Sequence, residues 1–382
     1  MKSIHIVGAG PAGLMAAHRY ALQGYLVKVY DHKSAAGRKF LVAGHGGFNL
    51  THSEELELFL SRYDSPEVKA MVRRFTNLDT LQWLESIGIP TYTGSSGKIF
   101  PQKGIKPIEV LRKWLEALEA LKVEIHYEHR LVDFDQESLH FAQDDQILEI
   151  PYARAVFAFG GKSWAKTGSD GAWVQLFREK NIAVHELEAS NAGLEIRLRY
   201  DHLAGQPLKN IRLFNASAGK LGEMVLTSYG IEGSAVYYMN RYIRKSPFPQ
   251  KLFVDLLPSY SSERLETLLS QGKITEVLKG RLKLRGGALG LLKTLDRETY
   301  IRPGLLARHI KEFPFEVTAF RPIDEAISTY GGLAWSELEA DLSLKKFPGI
   351  QCCGEMLHWD APTGGYLLQS CFASGHFAAL KG

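Results

Sequence analysis

A glycine-rich turn near the N-terminus, Gly8-Ala9-Gly10-Pro11-Ala12-Gly13, limits the possible folds of this chain more than any other feature. An apolar run at residues 4–7 precedes the turn, and apolar residues at helical spacing follow it over residues 14–22. Gly24 ends the helical pattern, and residues 26–30 form a second strand-like run. A strand, a turn, a helix and a strand within about 30 residues predict the parallel crossover of a doubly wound α/β sheet.

The turn has the glycine spacing of a dinucleotide-binding fingerprint. Gly8 permits a tight turn, Gly10 lets the backbone approach a pyrophosphate, and Gly13 lets the helix pack on the sheet. The phosphates would lie at the helix N-terminus, where backbone N–H groups and the helix dipole favour anions. Asp31 stands 23 residues beyond Gly8, where an acidic residue binds a ribose. We therefore predict a dinucleotide site, with an ordinary glycine turn as the alternative.

Length and composition bound the remaining possibilities. The 382 residues exceed one ordinary hydrophobic core and predict two domains. The chain carries 46 Lys and Arg against 42 Asp and Glu, and this net charge of +4 by itself implies neither a nucleic-acid nor a membrane partner. The N-terminal apolar run stops at Gly8, too early for a secretion signal, and no stretch approaches the ~20 apolar residues of a membrane span. These features predict a cytoplasmic protein.

The cysteines and one histidine–aspartate pair are further residues with side chains able to form a chemical site. Cys352, Cys353 and Cys371 form neither a disulfide framework nor a zinc-binding pattern. We interpret them as small buried core residues, with redox use of the Cys352–Cys353 pair as the alternative. His358 and Asp360 have no third potential ligand nearby, so we predict no metal site.

The sequence pattern divides the chain into two domains. A glycine-rich strand–turn–helix pattern like that of the N-terminal region occurs again after residue 326. We therefore expect a discontinuous first domain of residues 1–190 and 326–382. Residues 191–325 are expected to form a mostly β second domain that covers the substrate. Its expected elements are strands at residues 194–199, 210–216 and 235–239 and a small helical insert at about residues 262–312. The first domain is further expected to contain helices within residues 54–88, 107–121 and 367–380 and strands at residues 123–127, 155–159 and 349–354.

Two segments after Asp31 make the fingerprint more specific. They are Gly37-Arg38-Lys39 and the segment Gly-His-Gly-Gly-Phe-Asn-Leu-Thr at residues 44–51. With the fingerprint, they resemble the HI0933-like or YhiN-like family of bacterial FAD-dependent proteins, which have the glutathione-reductase-type flavoprotein fold. That family carries Gly-Arg-Lys and then Ser-Gly-Gly-Gly-Arg-Cys-Asn-Leu-Thr-Asn. The positions that depart from the family segment, and indicate a divergent subgroup, are Ala43, His45, Gly47, Phe48 and His52.

Further segments extend the resemblance over nearly the whole chain. Residues 159–164 with 167–171 resemble the family's Gly-Gly-Lys-Ser segment and the turn after it, and residues 227–233 resemble a segment of its second domain. Residues 354–357, 360 and 364–369 resemble its C-terminal signature. The resemblance implies an α/β fold with a Rossmann-type, GR2-like FAD-binding domain and an inserted second domain. It also implies that the C-terminal glycine turn and helix approach the flavin ring of a non-covalently bound FAD, where a helix N-terminus stabilises negative charge.

The fingerprint and the resemblance together define the candidate site. The residues predicted to bind the cofactor are Gly8, Gly10, Pro11, Ala12, Gly13, Asp31, His32, Gly37, Arg38, Lys39, Gly46, Gly47, Asn49, Leu131, Gly160, Gly161, Gly354, Glu355, Asp360, Gly364, Gly365, Tyr366 and Leu367. His45, Asn49 and Tyr366 are candidate catalytic residues because the resemblance places their segments beside the flavin ring. A structural role is the alternative for each.

The predicted function is that of an FAD-dependent dehydrogenase or reductase acting on an unidentified small organic substrate by hydride transfer. One alternative is a flavin amine oxidase that returns electrons to oxygen as peroxide. Another is a flavin-dependent RNA-modifying or nucleic-acid-binding protein. The basic stretch Lys279, Arg281, Lys283 and Arg285 is interpreted as a solvated face or a lid, so no nucleic acid is expected.

The electron partner is expected to act without a site of its own. Gly286–Gly290 follows a basic segment instead of an apolar strand, so we reject it as a second nucleotide turn. NAD(P)H or oxygen is therefore expected to react only through a transient encounter.

Overall fold

The computed structural model describes residues 2–42, 47–144 and 146–380. The strands are β1 (Ser3–Val7), β2 (Leu26–Tyr30), β3 (Thr51–His52), β4 (Thr91–Thr93), β5 (Lys98–Pro101), β6 (Glu124–His126), β7 (Arg130–Phe134), β8 (Ser138–Gln143), β9 (Gln146–Pro151), β10 (Ala155–Phe157), β11 (Val184–Ser190), β12 (Leu194–Ile196), β13 (Pro207–Phe214), β14 (Gly219–Leu226), β15 (Gly230–Glu232), β16 (Gln250–Asp255), β17 (Phe313–Phe320), β18 (Ser328–Leu333), β19 (Ser343–Leu344) and β20 (Phe347–Cys352).

The α-helices are α1 (Pro11–Leu22), α2 (Arg38–Val42), α3 (Leu56–Leu60), α4 (Pro66–Arg74), α5 (Asn77–Ser86), α6 (Pro107–Ala120), α7 (Trp173–Glu179), α8 (Ser234–Ile243), α9 (Ser262–Ser270), α10 (Ile274–Glu276), α11 (Gly286–Leu292), α12 (Arg297–Ile301), α13 (Pro303–Lys311) and α14 (Tyr366–Ala378). The chain separates into two compact units, one of Met1–Glu188 with Ile327–Gly382 and one of Ala189–Ala326.

A six-stranded sheet in the order β19-β20-β10-β1-β2-β6 is the centre of the first unit. All neighbouring strands are parallel except β19 with β20. Ile4, Ile6, Val29 and Val156 are completely buried because helices cover the strands, as parallel sheets require. Val7 lies opposite both Tyr30 and Phe157, so the carboxyl ends of β1, β2 and β10 meet at one edge. The predicted doubly wound sheet is confirmed.

Helices α1 and α14 pack against each other beside this sheet. Gly375 of α14 lies so close to α1 that a Cβ atom there would be 2.2 Å from the Ala12 carbonyl oxygen. The two glycine turns that begin these helices, one near each end of the chain, are therefore built into one packed unit.

The helical region predicted at residues 54–88 consists of three short helices, α3, α4 and α5. Local capping chemistry explains the interruptions, because each helix has its own N-terminal side-chain cap. Ser65 caps α4 ahead of Pro66, and Thr76 forms a capping box with Asp79 at α5. Two antiparallel three-stranded sheets, β3-β5-β4 and β7-β8-β9, also belong to this unit, and β11 pairs with β18 in a separate two-stranded sheet.

The second unit is built on a closed antiparallel barrel in the order β12-β15-β14-β13-β16-β17. Leu213, Val254 and Val317 are completely buried in its core. Helices α9 to α13 lie between β16 and β17 in sequence and form the predicted helical insert. The role of this unit as a substrate cover stays a prediction.

The strand predicted at residues 235–239 is wrong, because these residues belong to helix α8. The buried side chains Ala235, Val236, Met239 and Ile243 recur at helical spacing, which places one apolar face on the barrel. The run Ala-Val-Tyr-Tyr-Met has the β-branched and aromatic composition of a strand, and packing overrides that local preference.

Candidate cofactor site

A cavity of about 390 Å³ lies at the edge where β1, β2 and β10 end. Ligands of doubly wound folds bind at this edge, outside the carboxyl ends of the strands. The predicted site residues in its wall are Gly8, Gly10, Pro11, Ala12, Asp31, His32, Gly37, Arg38, Lys39, Leu131, Gly160, Gly354 and Glu355. Segments far apart in the sequence thus meet around one cavity.

The three fingerprint glycines have different surroundings. A Cβ atom on Gly8, whose φ is +110°, would lie 2.3 Å from the Ala158 carbonyl oxygen, and one on Gly13 would lie 1.9 Å from the Gly8 carbonyl oxygen. A Cβ atom on Gly10 would meet nothing within 4 Å. Gly8 and Gly13 are therefore required by packing, whereas Gly10 faces open space at the start of α1. This is the arrangement that a pyrophosphate needs at a helix N-terminus.

Asp31 is held in place by the turn that it faces. Its Oδ2 accepts a hydrogen bond from the Ala9 N–H at 2.7 Å, and its Oδ1 accepts one from the Lys33 N–H at 2.8 Å. Each carboxylate oxygen keeps a second lone pair for another donor. The carboxylate is thereby oriented in the cavity wall, with acceptor capacity left for ribose hydroxyls.

The Gly-Arg-Lys segment connects three of the predicted motifs. Gly37 adopts a φ of +64° and donates its N–H to the Ala9 carbonyl at 2.9 Å. The Lys39 ammonium donates to Glu355 at 2.6 Å and to the Ser163 hydroxyl at 2.7 Å. Lys39 is therefore paired with a carboxylate inside the site, which leaves the exposed Arg38 as the freer positive charge of this segment.

The glycine pair before α14 is shaped by contact with the chain itself. Gly364 and Gly365 have φ values of +119° and +105°. A Cβ atom on Gly365 would lie 2.5 Å from the Thr51 backbone, so β3 passes directly against this turn. The N-terminus of α14 is thus fixed against β3, and its first residue, Tyr366, is outside the cavity wall.

Tyr366 is 5% exposed, and its hydroxyl donates to Glu54 at 2.9 Å. Glu54 also accepts from the Arg62 guanidinium at 3.0 Å, and the His52 ring stacks on the phenol at 5.5 Å between centroids. Burial, followed by the hydrogen bond to Glu54, raises the pKa of Tyr366, so the phenol keeps its proton at neutral pH. These contacts tie Tyr366 into a packed polar cluster.

The other predicted residues outside the cavity wall have varied surroundings. Asn49 is half-buried, and the Asp360 N–H donates to the Asp64 carboxylate at 2.7 Å. A Cβ atom on Gly161 would lie 2.3 Å from the Thr329 hydroxyl. The full set outside the wall is Gly13, Gly47, Asn49, Gly161, Asp360, Gly364, Gly365, Tyr366 and Leu367. His45 and Gly46 lie outside the described residues.

Several residues of the wall were missed by the sequence analysis. Arg130, Ser169 and Asp170 line the cavity, and Trp173 donates its indole N–H to the Gly160 carbonyl at 3.0 Å. The signal that could have found Ser169 and Asp170 was the segment 167–171, which resembled the family without any residue of it being assigned a role.

Of the three cysteines, one reaches the cavity. Cys352 and Cys353 are completely buried in the core, and burial raises the pKa of both thiols. Cys371 lines the cavity, and burial, followed by the charge of Glu355, raises its pKa to about 12. All three thiols are therefore protonated at neutral pH and unsuited to redox exchange.

Two other kinds of feature, a metal site and a membrane-spanning helix, are absent from the residues that the structure describes. Within residues 2–42, 47–144 and 146–380, no cluster of three or more His, Cys, Asp or Glu side chains has the geometry of a metal site. Over the same ranges, no helix combines the length and apolar character needed to cross a membrane.

Comparison with known sequences gives a family match and several relatives. The model described as "HI0933-like protein Rossmann domain" matches residues 2–381. A 3-dehydro-bile acid delta(4,6)-reductase of Clostridium scindens is 24% identical, over 99% of this chain and 98% of its own length. Ribosomal RNA dihydrouridine synthases of Haemophilus influenzae and Escherichia coli are 25% and 21% identical, over 98% and 97% of this chain and 97% and 95% of their own lengths.

Comparison with solved structures supports the fold. An open flavocytochrome c3 fumarate reductase superposes with a TM-score of 0.55 at 15% identity, over 99% of this chain and 78% of that protein. The 3-ketosteroid-delta4-(5alpha)-dehydrogenase of Rhodococcus jostii RHA1 superposes with a TM-score of 0.50 at 14% identity, over 99% and 95%. The match to the family and this fold indicate FAD as the cofactor.

Proposed function

We propose that this chain, which belongs to the HI0933-like family of FAD-dependent oxidoreductases, reduces a carbon–carbon double bond conjugated to a carbonyl group. The observation that carries the proposal is the cavity at the sheet edge, whose wall brings together the fingerprint, Asp31 and the Lys39–Glu355 pair. Bound FAD supplies hydride transfer there.

The names of the relatives support this class of double bond. One is named for reduction at positions 4 and 6 of a 3-dehydro bile acid, in which the double bonds are conjugated to the 3-oxo group. Others are named for dihydrouridine synthesis, in which the reduced bond of uracil is conjugated to a carbonyl. Hydride addition to such a bond is favourable because the carbonyl accepts the developing negative charge. This shared chemistry supports a reductase over an amine oxidase, and the oxidase stays a prediction without such support.

The residues of the first unit have separable roles in this proposal. Asp31 holds the ribose, and the open face of Gly10 admits the pyrophosphate. The resemblance to the family places the N-terminus of α14 near the flavin ring, where its dipole would stabilise negative charge on the reduced cofactor. Tyr366, whose hydroxyl is bound to Glu54, keeps this helix end in position.

An anaerobic half-reaction tests the proposal. The flavin of the purified holoprotein is first reduced with dithionite, and a 3-oxo-4,6-diene steroid acid is then added. We expect the absorbance of oxidised flavin to return, and mass spectrometry to find the steroid with two added hydrogens. The control is the 3-hydroxy-4,6-diene, which lacks the conjugated carbonyl. Equal reoxidation of the flavin by both compounds would contradict the proposal. So would a reduced flavin that is reoxidised by neither compound and by no uridine-containing RNA.

A second candidate substrate is a uridine of ribosomal RNA, and the distribution of charge favours it. The unit Ala189–Ala326 contains 21 Lys and Arg against 14 Asp and Glu, a net charge of +7. The other unit contains 25 against 28, a net charge of −3. The modest charge of the whole chain thus conceals a basic unit. Such a unit is suited to phosphate contacts.

The exposed side chains around α11 concentrate this charge. Lys279, Arg281, Lys283, Arg285 and Lys293 are all exposed, with no acidic residue between them in the sequence. Leu282 and Leu284 alternate with them and are buried, which anchors the basic segment on the unit.

Charge reversal separates the two substrates. The variant K279E/R281E/K283E/R285E is compared with the wild type and with the control K69E/R73E, which reverses two charges on α4. If RNA is the substrate, we expect the first variant alone to lose affinity for ribosomal RNA fragments and the salt dependence of its binding to become shallower. If the substrate is a small enone, reoxidation by the steroid is unchanged in both variants and neither variant differs from the wild type in RNA affinity.

A further inference from the structure

The unit Ala189–Ala326 has a cavity of its own, here called the barrel cavity, with a volume of about 370 Å³. It lies beside the first half of β17, between the segment that follows β12 and the segment that follows α11. No residue of its wall belongs to the wall of the cofactor cavity. A volume of this size is within the range of sites that hold small organic molecules. The barrel cavity is therefore a candidate site built from residues that the cofactor site does not use.

Most of the wall of the barrel cavity is apolar. Tyr200 and Phe313 are almost completely buried, and the centroids of their rings lie 6.2 Å apart. Leu198, by contrast, is 65% exposed, so its side chain has an apolar surface that the protein leaves uncovered. The other apolar residues of the wall are Ile196, Leu295, Pro314 and Phe315. A ligand with an apolar body would cover this surface, and removing it from water is favourable.

The charged side chains of the wall are mostly cationic. Glu316 carries the only carboxylate among the described residues of the wall, and it forms an ion pair with Arg197 at 2.7 Å. Lys251 is exposed and lies opposite Glu316 in the pairing of β16 with β17. No hydrogen bond or ion pair joins its ammonium to another residue that the structure describes. The wall thus retains a positive charge that the protein does not compensate.

His309 adds a nitrogen atom that is available to a ligand. Its Nδ1 lies 3.0 Å from the Leu305 carbonyl oxygen, one turn earlier in α13. Because a carbonyl can only accept, Nδ1 carries a proton in this contact. Nε2 has no hydrogen-bond partner in the described part of the chain. The imidazolium form of this ring would therefore donate from Nε2, as Lys251 does from its ammonium.

We propose that the barrel cavity binds an apolar monocarboxylate. Its hydrocarbon body would lie against Leu198, Tyr200 and Phe313, and its carboxylate would be bound by Lys251 and His309. Carboxylate oxygens accept charge-assisted hydrogen bonds from both of these groups, whereas a neutral ligand leaves the positive charge uncompensated and a cationic ligand adds to it. The proposal involves no redox step, and it depends neither on FAD nor on the substrate proposed above.

Calorimetric titration of the FAD-loaded protein tests the chemistry of the ligand. The probes are decanoate, decanol and decyltrimethylammonium, each below its micelle concentration, which share a straight saturated alkyl chain and differ in the charge of the head group. We expect decanoate to bind most tightly, decanol about 2- to 10-fold more weakly and the cation more weakly still, because one or two partly exposed ion pairs are lost or reversed. None of the probes has a double bond to reduce, so the result is independent of the proposed reductase activity.

Two variants test the residues, each with a matched control in the same unit. Lys251→Gln should weaken decanoate binding about 2- to 5-fold and leave decanol binding unchanged, because only a charge is removed. Its control is Lys209→Gln, which changes an exposed lysine of β13 outside the wall. Leu198→Glu should weaken decanoate binding at least about fivefold, because it removes an apolar contact and adds a negative charge. Its control is Leu221→Glu on β14, where the leucine is 62% exposed.

Neither control should change the affinity for decanoate, and thermal unfolding of each variant establishes that it is folded. Decanoate affinity within about twofold of the wild type in both K251Q/H309Q and Leu198→Glu would overturn the proposal. Equal losses in Leu198→Glu and Leu221→Glu would also overturn it, since the ligand would then lie elsewhere. A preference for decanol or the cation over decanoate, or no measurable binding of decanoate, would overturn it as well.

Discussion

The two glycine turns of the first unit look alike in sequence but serve different purposes. Gly10 precedes α1 and Gly365 precedes α14, and each is the N-cap residue of its helix. A Cβ atom on Gly10 would meet open space, whereas one on Gly365 would collide with the Thr51 backbone at 2.5 Å. A glycine before a helix can therefore leave room for a ligand or room for the chain itself. The surroundings of the missing side chain distinguish the two cases.

The largest effect is expected for Gly10→Val. Gly10 has an extended backbone, so valine is tolerated by the fold, but its methyl groups occupy the space assigned to the pyrophosphate. Loss of two or more charge-assisted hydrogen bonds should weaken FAD binding at least about 100-fold. Titration of the apoprotein with FAD measures this, and thermal unfolding of the apoprotein should be unchanged. Full FAD content in the purified variant would show that Gly10 does not face the cofactor.

Gly365→Ala should behave in the opposite way and destabilise the protein itself. A positive φ and a backbone collision together should cost about 3 kcal/mol of unfolding free energy. Gly24→Ala is the control, because Gly24 has a φ of +82° but nothing within 4 Å of an added Cβ atom. It should cost only about 1 kcal/mol, measured by urea unfolding. Equal losses of unfolding free energy in the two variants would show that the backbone collision does not destabilise Gly365→Ala.

The helices that follow the two turns each bury a histidine, and acid should therefore weaken their packing. Burial, followed by the charge of Arg19, lowers the pKa of His18 in α1 and of His376 in α14 to about 4. Their neutral forms are favoured in the folded state, so the associated stability is complete above pH 6.5 and is lost as the pH falls towards 4. Each should contribute a loss of about 1.4 kcal/mol per pH unit in this range.

Urea unfolding between pH 7.5 and 5 measures this loss. His18→Gln and His376→Gln should each flatten the pH dependence, because glutamine does not titrate. An unchanged slope in the double variant would assign the acid sensitivity to other groups.

Asp31→Ala tests the polar side of the first turn. Loss of a charge-assisted contact with the ribose, worth roughly 1.5–3 kcal/mol, should lower FAD affinity about 10- to 150-fold. Asp31 also accepts two backbone N–H groups, one on each carboxylate oxygen, so Asp31→Asn is the control that keeps one of these two acceptors. It should lose less affinity than alanine. FAD affinity unchanged in the alanine variant would exclude Asp31 from the site.

The smallest effect is expected for Tyr366→Phe at the second turn. The change removes the hydrogen bond to Glu54, which keeps its contact with Arg62, and should cost about 1–2 kcal/mol of unfolding free energy. Turnover per bound flavin should fall less than about tenfold, as expected for a positioning residue. A much larger fall with unchanged stability would restore Tyr366 as a catalytic candidate.

The sequence by itself determined the features that depend on local spacing. The strand–turn–helix unit, Asp31 and the glycines of the fingerprint were predicted because their roles follow from backbone geometry within about 30 residues. The helical insert was predicted for the same reason, since a helical period is a local property. These features include most of the cavity wall on the side of β1 and β2.

Only the tertiary structure decided the features that depend on distant partners. Lys39 was predicted to bind the cofactor, and its ammonium is paired with Glu355, which lies 316 residues away. Ser169 and Asp170 lie in the cavity wall because the segment at residues 167–170 runs between the ends of β10 and β2. Residues 234–243 form helix α8 because the barrel buries one of its faces. In each case the energy of a non-local contact outweighed the local preference, and no local pattern in the sequence records which distant partner supplies that contact.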